Sequence, residues 1–260
     1  MRTNFLILAI LLLSNLILKS NREPEVGIVE KLGNRLPLEV EFINDKGQKV
    51  KLGDLINKPT ILMFVYYHCP GICSPLLTGV AEVVDKSELI PGKDYQLITI
   101  SFDHNETYDK ALKWKKNHIG GLEKRIDENA WAFLVGDSLA VRKVTDAVGF
   151  YFKPDGKGDF IHGAALYAIA PDGKIVRYLF GTQFNPFDFK MAVLESEQGI
   201  PLPTVNRLLK FCYSYDPKGR TYVFSFTRVF GSIILLSLAV FLSFLLIKRK
   251  KDKKEVGNES

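Results

Sequence analysis

Residues 60–67, Thr-Ile-Leu-Met-Phe-Val-Tyr-Tyr, contain no charged side chain and run straight into His68-Cys69-Pro70. β-Branched and aromatic residues dominate the run, which favours a strand. A strand without polar alternation must be covered on both faces, as in the middle of a sheet with layers on either side. The rest of the chain has to be arranged around that requirement.

The flanking segments supply such layers. Residues 36–42 alternate as a half-buried strand does, Asn44-Asp45-Lys46-Gly47-Gln48 reads as a turn, and residues 49–52 pair back as a hairpin. Residues 75–86 carry Leu76, Val80, Val83 and Val84 at helical spacing. Residues 95–102 read as a second buried strand, 107–118 as a helix and 131–135 as a third strand. Ser138 is placed to cap a helix running to Val148. Residues 164–170 and 175–180 form a hairpin across Pro171-Asp172-Gly173-Lys174, and 187–197 form a last helix ended by Gly199. This order is that of an α/β thioredoxin-like sandwich, a central mixed sheet flanked by helices.

Composition sets the two ends apart. Residues 5–18 are almost wholly apolar between Arg2 and Lys19, short for a membrane span, so residues 1–20 are expected to be a signal peptide or N-terminal anchor. Residues 229–247 lack any charge and are long enough to cross a bilayer as a C-terminal transmembrane helix. A basic run, Lys248-Arg249-Lys250-Lys251-Asp252-Lys253-Lys254, follows at once, and positive residues beside a span stay on the cytoplasmic side. The expected plan is a domain at residues 26–200 on the outer, periplasmic face of a bacterial inner (plasma) membrane, a juxtamembrane connector at 201–228, the span, and a cytoplasmic tail at 248–260. That tail holds half of the chain's net charge of +6. The remainder shows no basic stripe interleaved with aromatics, which disfavours nucleic acid as a partner.

Three cysteines are too few for a disulfide scaffold, and a domain of this length buries enough core without staples. The close pair, Cys69 and Cys73, therefore needs a chemical reason. With a helix starting near Pro70, Cys69 falls at its mouth and Cys73 one turn on, so both sulfurs share a face. The positive end of the helix dipole there favours thiolate over thiol. Two such thiolates either oxidise to a disulfide or hold a soft metal ion. Structural zinc wants four protein ligands and no second Cys/His cluster is visible, whereas copper(I) is satisfied by two thiolates with or without an imidazole. Of the four histidines, His162 in Asp159-Phe160-Ile161-His162-Gly163 is the best third ligand, because its loop precedes the hairpin that returns towards the motif. The plainer alternatives are a structural disulfide and a surface histidine. His68 reads as structural, His104 and His118 as surface residues, and Cys212 as a free connector thiol or an accessory copper or redox group.

At these residues the chain resembles the SCO/SenC family, copper-delivering assembly factors for the binuclear copper centre of cytochrome oxidase subunit II, over about residues 30–200. The family motif, Phe-x-Tyr-Thr-His-Cys-Pro-Asp-x-Cys-Pro, is matched at Phe64, Tyr66, His68, Cys69, Pro70 and Cys73. The resemblance implies that Cys69, Cys73 and His162 bind copper, as Cu(I) or Cu(II), and that Asp103 corresponds to an aspartate linked to partner docking or redox transfer. It also extends to Trp131-Ala-Phe-Leu, Thr145-Asp-Ala-Val-Gly149 and Ala170-Pro-Asp-Gly173. Membrane-anchored bacterial members share the Cys212-Tyr-Ser-Tyr-Asp-Pro217 segment. Departures are Tyr67 for Thr, Gly71 for Asp, Ser74 for the second Pro, and His104 where Pro commonly follows the aspartate.

The expected function is a copper metallochaperone that serves cytochrome oxidase subunit II or a similar copper-accepting protein, with periplasmic copper or thiol carriers as further partners. The alternative is a membrane-tethered thiol–disulfide oxidoreductase in which Cys69 attacks and Cys73 resolves, an activity that gives His162 no role. A thiol peroxidase ranks last, because Tyr66 and Tyr67 occupy the positions near Cys69 where an activating Thr and Arg are needed.

Overall fold

The computed structural model describes residues 24–201, 213–216 and 221–224, with Phe230, Gly231, Ile234 and Ser237. The first part comprises Gly27–Ile28 (β1), Glu41–Asn44 (β2), Lys49–Lys51 (β3), Leu52–Leu55 (α1), Thr60–Val65 (β4), Cys73–Lys86 (α2), Gln96–Ser101 (β5) and Tyr108–Ile119 (α3). It continues with Trp131–Val135 (β6), Ser138–Val148 (α4), Phe150–Tyr151 (β7), Lys153–Pro154 (β8), Phe160–Ile161 (β9), Ala165–Ile169 (β10), Ile175–Phe180 (β11) and Pro186–Gln198 (α5). Tyr213–Asp216 and Thr221–Phe224 (β12 and β13) pair antiparallel in a second compact unit, Val205–Ser260. Within the segment expected to be a connector there is thus a hairpin.

Seven strands form one sheet in the order β11-β10-β4-β5-β6-β2-β3. β4, β5 and β6 are parallel, with Thr60 opposite Gln96 and Leu97 opposite Trp131, while β10 runs antiparallel to β4. Every residue of β4 and β10 is buried, as the charge-free run requires. Helix α2 packs against α3 and α5 on one face. On β11, Arg177 reaches Glu195 of α5 (2.8 Å), whereas the adjacent Tyr178 donates to the Val148 carbonyl at the end of α4 (2.9 Å). Adjacent strand residues point to opposite faces, so α4 covers the other side. The arrangement is the thioredoxin-like mixed α/β fold.

Two buried polar pairs tie the sandwich together. Trp131 Nε1 donates to Thr99 Oγ1 (2.8 Å), and Lys115 meets Asp45 at 3.0 Å across α3 and the β2–β3 turn. That turn forms as its residues dictate: Asn44 Oδ1 accepts from the N–H groups of Lys46 and Gln48 (3.0 and 2.9 Å), and Gly47 takes φ +75°.

Three local expectations change. β2 starts at Glu41 instead of residue 36. Pro37 has no N–H for a ladder, its carbonyl closes a turn with the Val40 N–H (3.3 Å), and Leu36 bonds to Gly173 (2.9 Å). Asp137, not Ser138, caps α4: its carboxylate accepts the Ala140 N–H at 2.7 Å, and a charged acceptor suits the positive helix end better than a hydroxyl. Finally, α2 starts at Cys73, so Pro75 and not Pro70 lies in its first turn. The expected leader at 1–20, Cys212 and the tail at 248–260 lie outside the described residues, as does most of the expected span at 229–247. Among the described residues no helix is long and apolar enough to cross a membrane.

One close approach fixes where α2 sits. A Cβ added at Gly79 would lie 1.8 Å from the Thr182 carbonyl oxygen. Alanine gains about 1 kcal/mol of helix propensity over glycine, but here the helix or the loop after β11 must move. Gly79→Ala is expected to cost a net ~1–3 kcal/mol, as overpacking does, seen as a lower urea midpoint at unchanged m-value. An unchanged midpoint would show that helix and loop do not meet this closely.

Candidate metal centre

Leaving β4, the chain passes through buried Tyr66 and Tyr67 and turns where the Cys69 N–H donates to the Tyr66 carbonyl (3.2 Å). Ile72, at the N-cap of α2, offers no side-chain acceptor. The Cys69 sulfur takes that place, accepting from the Cys73 N–H (3.5 Å) and the Gly71 N–H (3.4 Å). The two sulfurs therefore meet because Cys69 caps the helix that Cys73 begins, not because both lie on one helical face.

His162 arrives from the opposite direction, just after β9. It is 2% exposed, in contrast to the usual surface position of a loop histidine. Its Nδ1 lies 2.7 Å from the Gly163 carbonyl, which accepts only from an N–H. In the neutral ring this directs the Nε2 lone pair towards Cys73 Sγ, 3.8 Å away. The donor atoms of Cys69, Cys73 and His162 all lie within 4.8 Å of one another. Donors about 2.0–2.3 Å from one ion stand at most ~4.6 Å apart, so the triangle closes on a metal with sub-ångström movements.

The sulfurs are electrostatically unequal. The Cys73 thiol first, then the His162 ring and the N–H groups of Cys73 and Gly71, hold the Cys69 thiol down at about 3 against the opposing effect of burial. Cys73 is fully buried, and burial, then the charge on Cys69, pushes its thiol far above the ordinary range. One proton is left between two sulfurs: Cys69 is the thiolate and Cys73 the thiol.

The surroundings are dry. The His162 ring stands edge-on to Phe102 (4.9 Å), Tyr66 (5.8 Å) and Phe150 (6.1 Å). Glu106, its side chain 1% exposed, accepts from the Tyr67 N–H and Ser101 Oγ, both at 2.6 Å, and so fastens the segment before Cys69 to the end of β5. Burial pushes its carboxyl pKa up. Nothing in the sequence marks Glu106, which reads as an ordinary acid beside the helix cap Thr107.

The remaining candidates lie elsewhere. His68 and His104 are exposed. His118 is half-buried instead of superficial, stacked on Trp114 at 5.3 Å with Nδ1 bonded to that residue's carbonyl (2.9 Å). Asp103 is partly exposed and accepts from the N–H and Nδ2 of Asn105, each at 3.0 Å.

Comparison with known proteins agrees with this picture. The sequence profile of the SCO1/SenC family matches residues 31–193. The SCO1 protein homolog of Bacillus subtilis is 26% identical over 168 residues, which cover 61% of this chain and 82% of that protein. A crystal structure from Aquifex aeolicus VF5 shares 28% identity at a TM-score of 0.59, over 65% of this chain and 95% of that one. Arabidopsis thaliana ScoI, solved with copper bound, is alike in fold, with 22% identity and a TM-score of 0.51 over 64% of this chain and 98% of that one.

The unequal thiols make a measurable difference. In the reduced, metal-free protein, iodoacetamide should label Cys69 at a rate nearly constant from about pH 8 to about pH 5, because its lowered pKa keeps the thiolate populated throughout. A thiol of pKa ~8.5 loses about tenfold per pH unit over that range. Cys73 should resist labelling. Peptide mass spectrometry separates the sites; a Cys69 rate that falls like an ordinary thiol's would show that the helix end does not hold the charge.

Proposed function

The chain belongs to the SCO1/SenC family, and from that premise we propose that it is a copper metallochaperone whose cargo is held by Cys69, Cys73 and His162. The observation that carries this reading is the convergence of two sulfurs and an oriented imidazole within 4.8 Å in an aromatic-walled site where Cys73 and His162 are buried. Two thiolates and one nitrogen are a soft donor set that suits copper in either common oxidation state. Uptake displaces the proton left on Cys73. Cys69 stays half-exposed, so it is the ligand that an acceptor's own sulfur can replace first during hand-over.

The acceptor in this proposal is cytochrome oxidase subunit II, at its binuclear copper centre, or a similar copper-accepting protein, with Asp103 on the adjoining surface as a docking residue and Cys212 as an accessory thiol. Residues 229–247 serve as the membrane anchor, with the copper domain on the outer, periplasmic face of the inner membrane and the basic tail inside. Support comes from the charge-free stretch and the lysines after it.

A second reading has its own observation: an accessible thiolate beside a buried thiol is also an attacking and resolving pair. Cys69 would open a target disulfide, and Cys73 would then attack Cys69, releasing the target dithiol and leaving a Cys69–Cys73 disulfide.

Copper(I) titration of the reduced protein against a chelating competitor separates the two. One tight equivalent is expected, lost in Cys69→Ala and in Cys73→Ala and weakened roughly tenfold or more in His162→Ala, at about 1.4 kcal/mol per tenfold. No copper retained against the competitor, together with reduction of a disulfide substrate, would establish the oxidoreductase instead. For the anchor, truncation after residue 228 should move the protein from the membrane to the soluble fraction; a truncated chain that stays with the membrane would refute a C-terminal tether.

A further inference from the structure

The metal centre has two halves that the chain does not join locally. Both sulfurs belong to the segment after β4, whereas His162 directly follows the second strand of the β8–β9 hairpin. That hairpin is a separate two-stranded sheet with only Lys153 opposite Ile161 and Pro154 opposite Phe160. Its tip, residues 155–158, is exposed, with open space around Gly156 and Gly158. An isolated hairpin of this size is marginal in water. Something outside it must hold the imidazole in place.

Tyr66 touches both halves. On the cysteine side its carbonyl accepts the Cys69 N–H (3.2 Å). On the hairpin side the hydroxyl donates to Asp159 Oδ1 (3.2 Å). Its ring meets Phe160 edge-on at 5.2 Å and His162 at 5.8 Å.

We infer that Tyr66 is the positioning residue for the third ligand: its hydroxyl ties the hairpin that leads into His162 to the cysteine loop, and so governs how readily the imidazole joins and leaves the copper. The inference rests on the copper reading above.

Tyr66→Phe keeps the ring packing and removes only the hydroxyl; Asp159→Ala removes its partner on the hairpin. Both should raise deuterium uptake across residues 153–162 in the metal-free protein while leaving the urea midpoint nearly unchanged. Both should weaken copper(I) binding roughly tenfold, in the range for residues that orient a ligand, and speed release to a chelator. In a His162→Ala background the same substitutions should add nothing. An equal loss with and without His162 would overturn the inference, as would unaltered exchange in the hairpin. If the parent protein binds no copper, the chaperone reading falls, but the exchange experiment still decides whether Tyr66 holds the hairpin.

Discussion

The hydrogen bonds from the Cys73 N–H, the first of α2, and from the Gly71 N–H just before it to the Cys69 sulfur are the contact on which the centre depends. A helix start lacking a side-chain cap leaves donors unsatisfied, and here a sulfur satisfies them. The same bonds stabilise negative charge on that sulfur and place it beside Cys73, the first residue of the helix. Capping, thiolate formation and approach of the two sulfurs are therefore one event. Replacing Cys69 removes a helix cap as well as a ligand.

Around this contact the fold supplies rigidity and dryness. β4 is buried along its whole length and ends just before the motif, so the cysteine segment starts from one of the least deformable parts of the sheet. Glu106 grips the next turn through the Tyr67 N–H. A buried carboxylate is costly unless hydrogen-bonded, and here the Tyr67 N–H and the Ser101 hydroxyl supply those bonds. Phe102, Phe150 and Tyr66 then exclude water from the imidazole, which strengthens each charge interaction inside.

The order of elements was legible in the sequence because it rests on local signals: apolar periodicity, turn residues and glycines. Most boundaries fall within two residues of those expected. Errors arose where two neighbours compete for one role, as Asp137 and Ser138 do for the cap, or where one residue vetoes a ladder, as Pro37 does. α2 starts at Cys73 and not near Pro70, since both Pro70 and Pro75 are acceptable in a first turn and local pattern does not choose between them.

By itself the sequence determined the doubly covered central strand, the spacing that brings two thiols together, and the histidine loop before the closing hairpin, since each follows from local pattern and chain reach. Only the tertiary structure decided that Cys69 caps the helix instead of lying on it, that His162 is buried with Nε2 facing the sulfurs, and that Tyr66 and Glu106 bind the pieces to each other. Those choices join residues far apart in the chain. They depend on which burial and hydrogen bonding can be satisfied together in three dimensions, a condition that no local pattern contains.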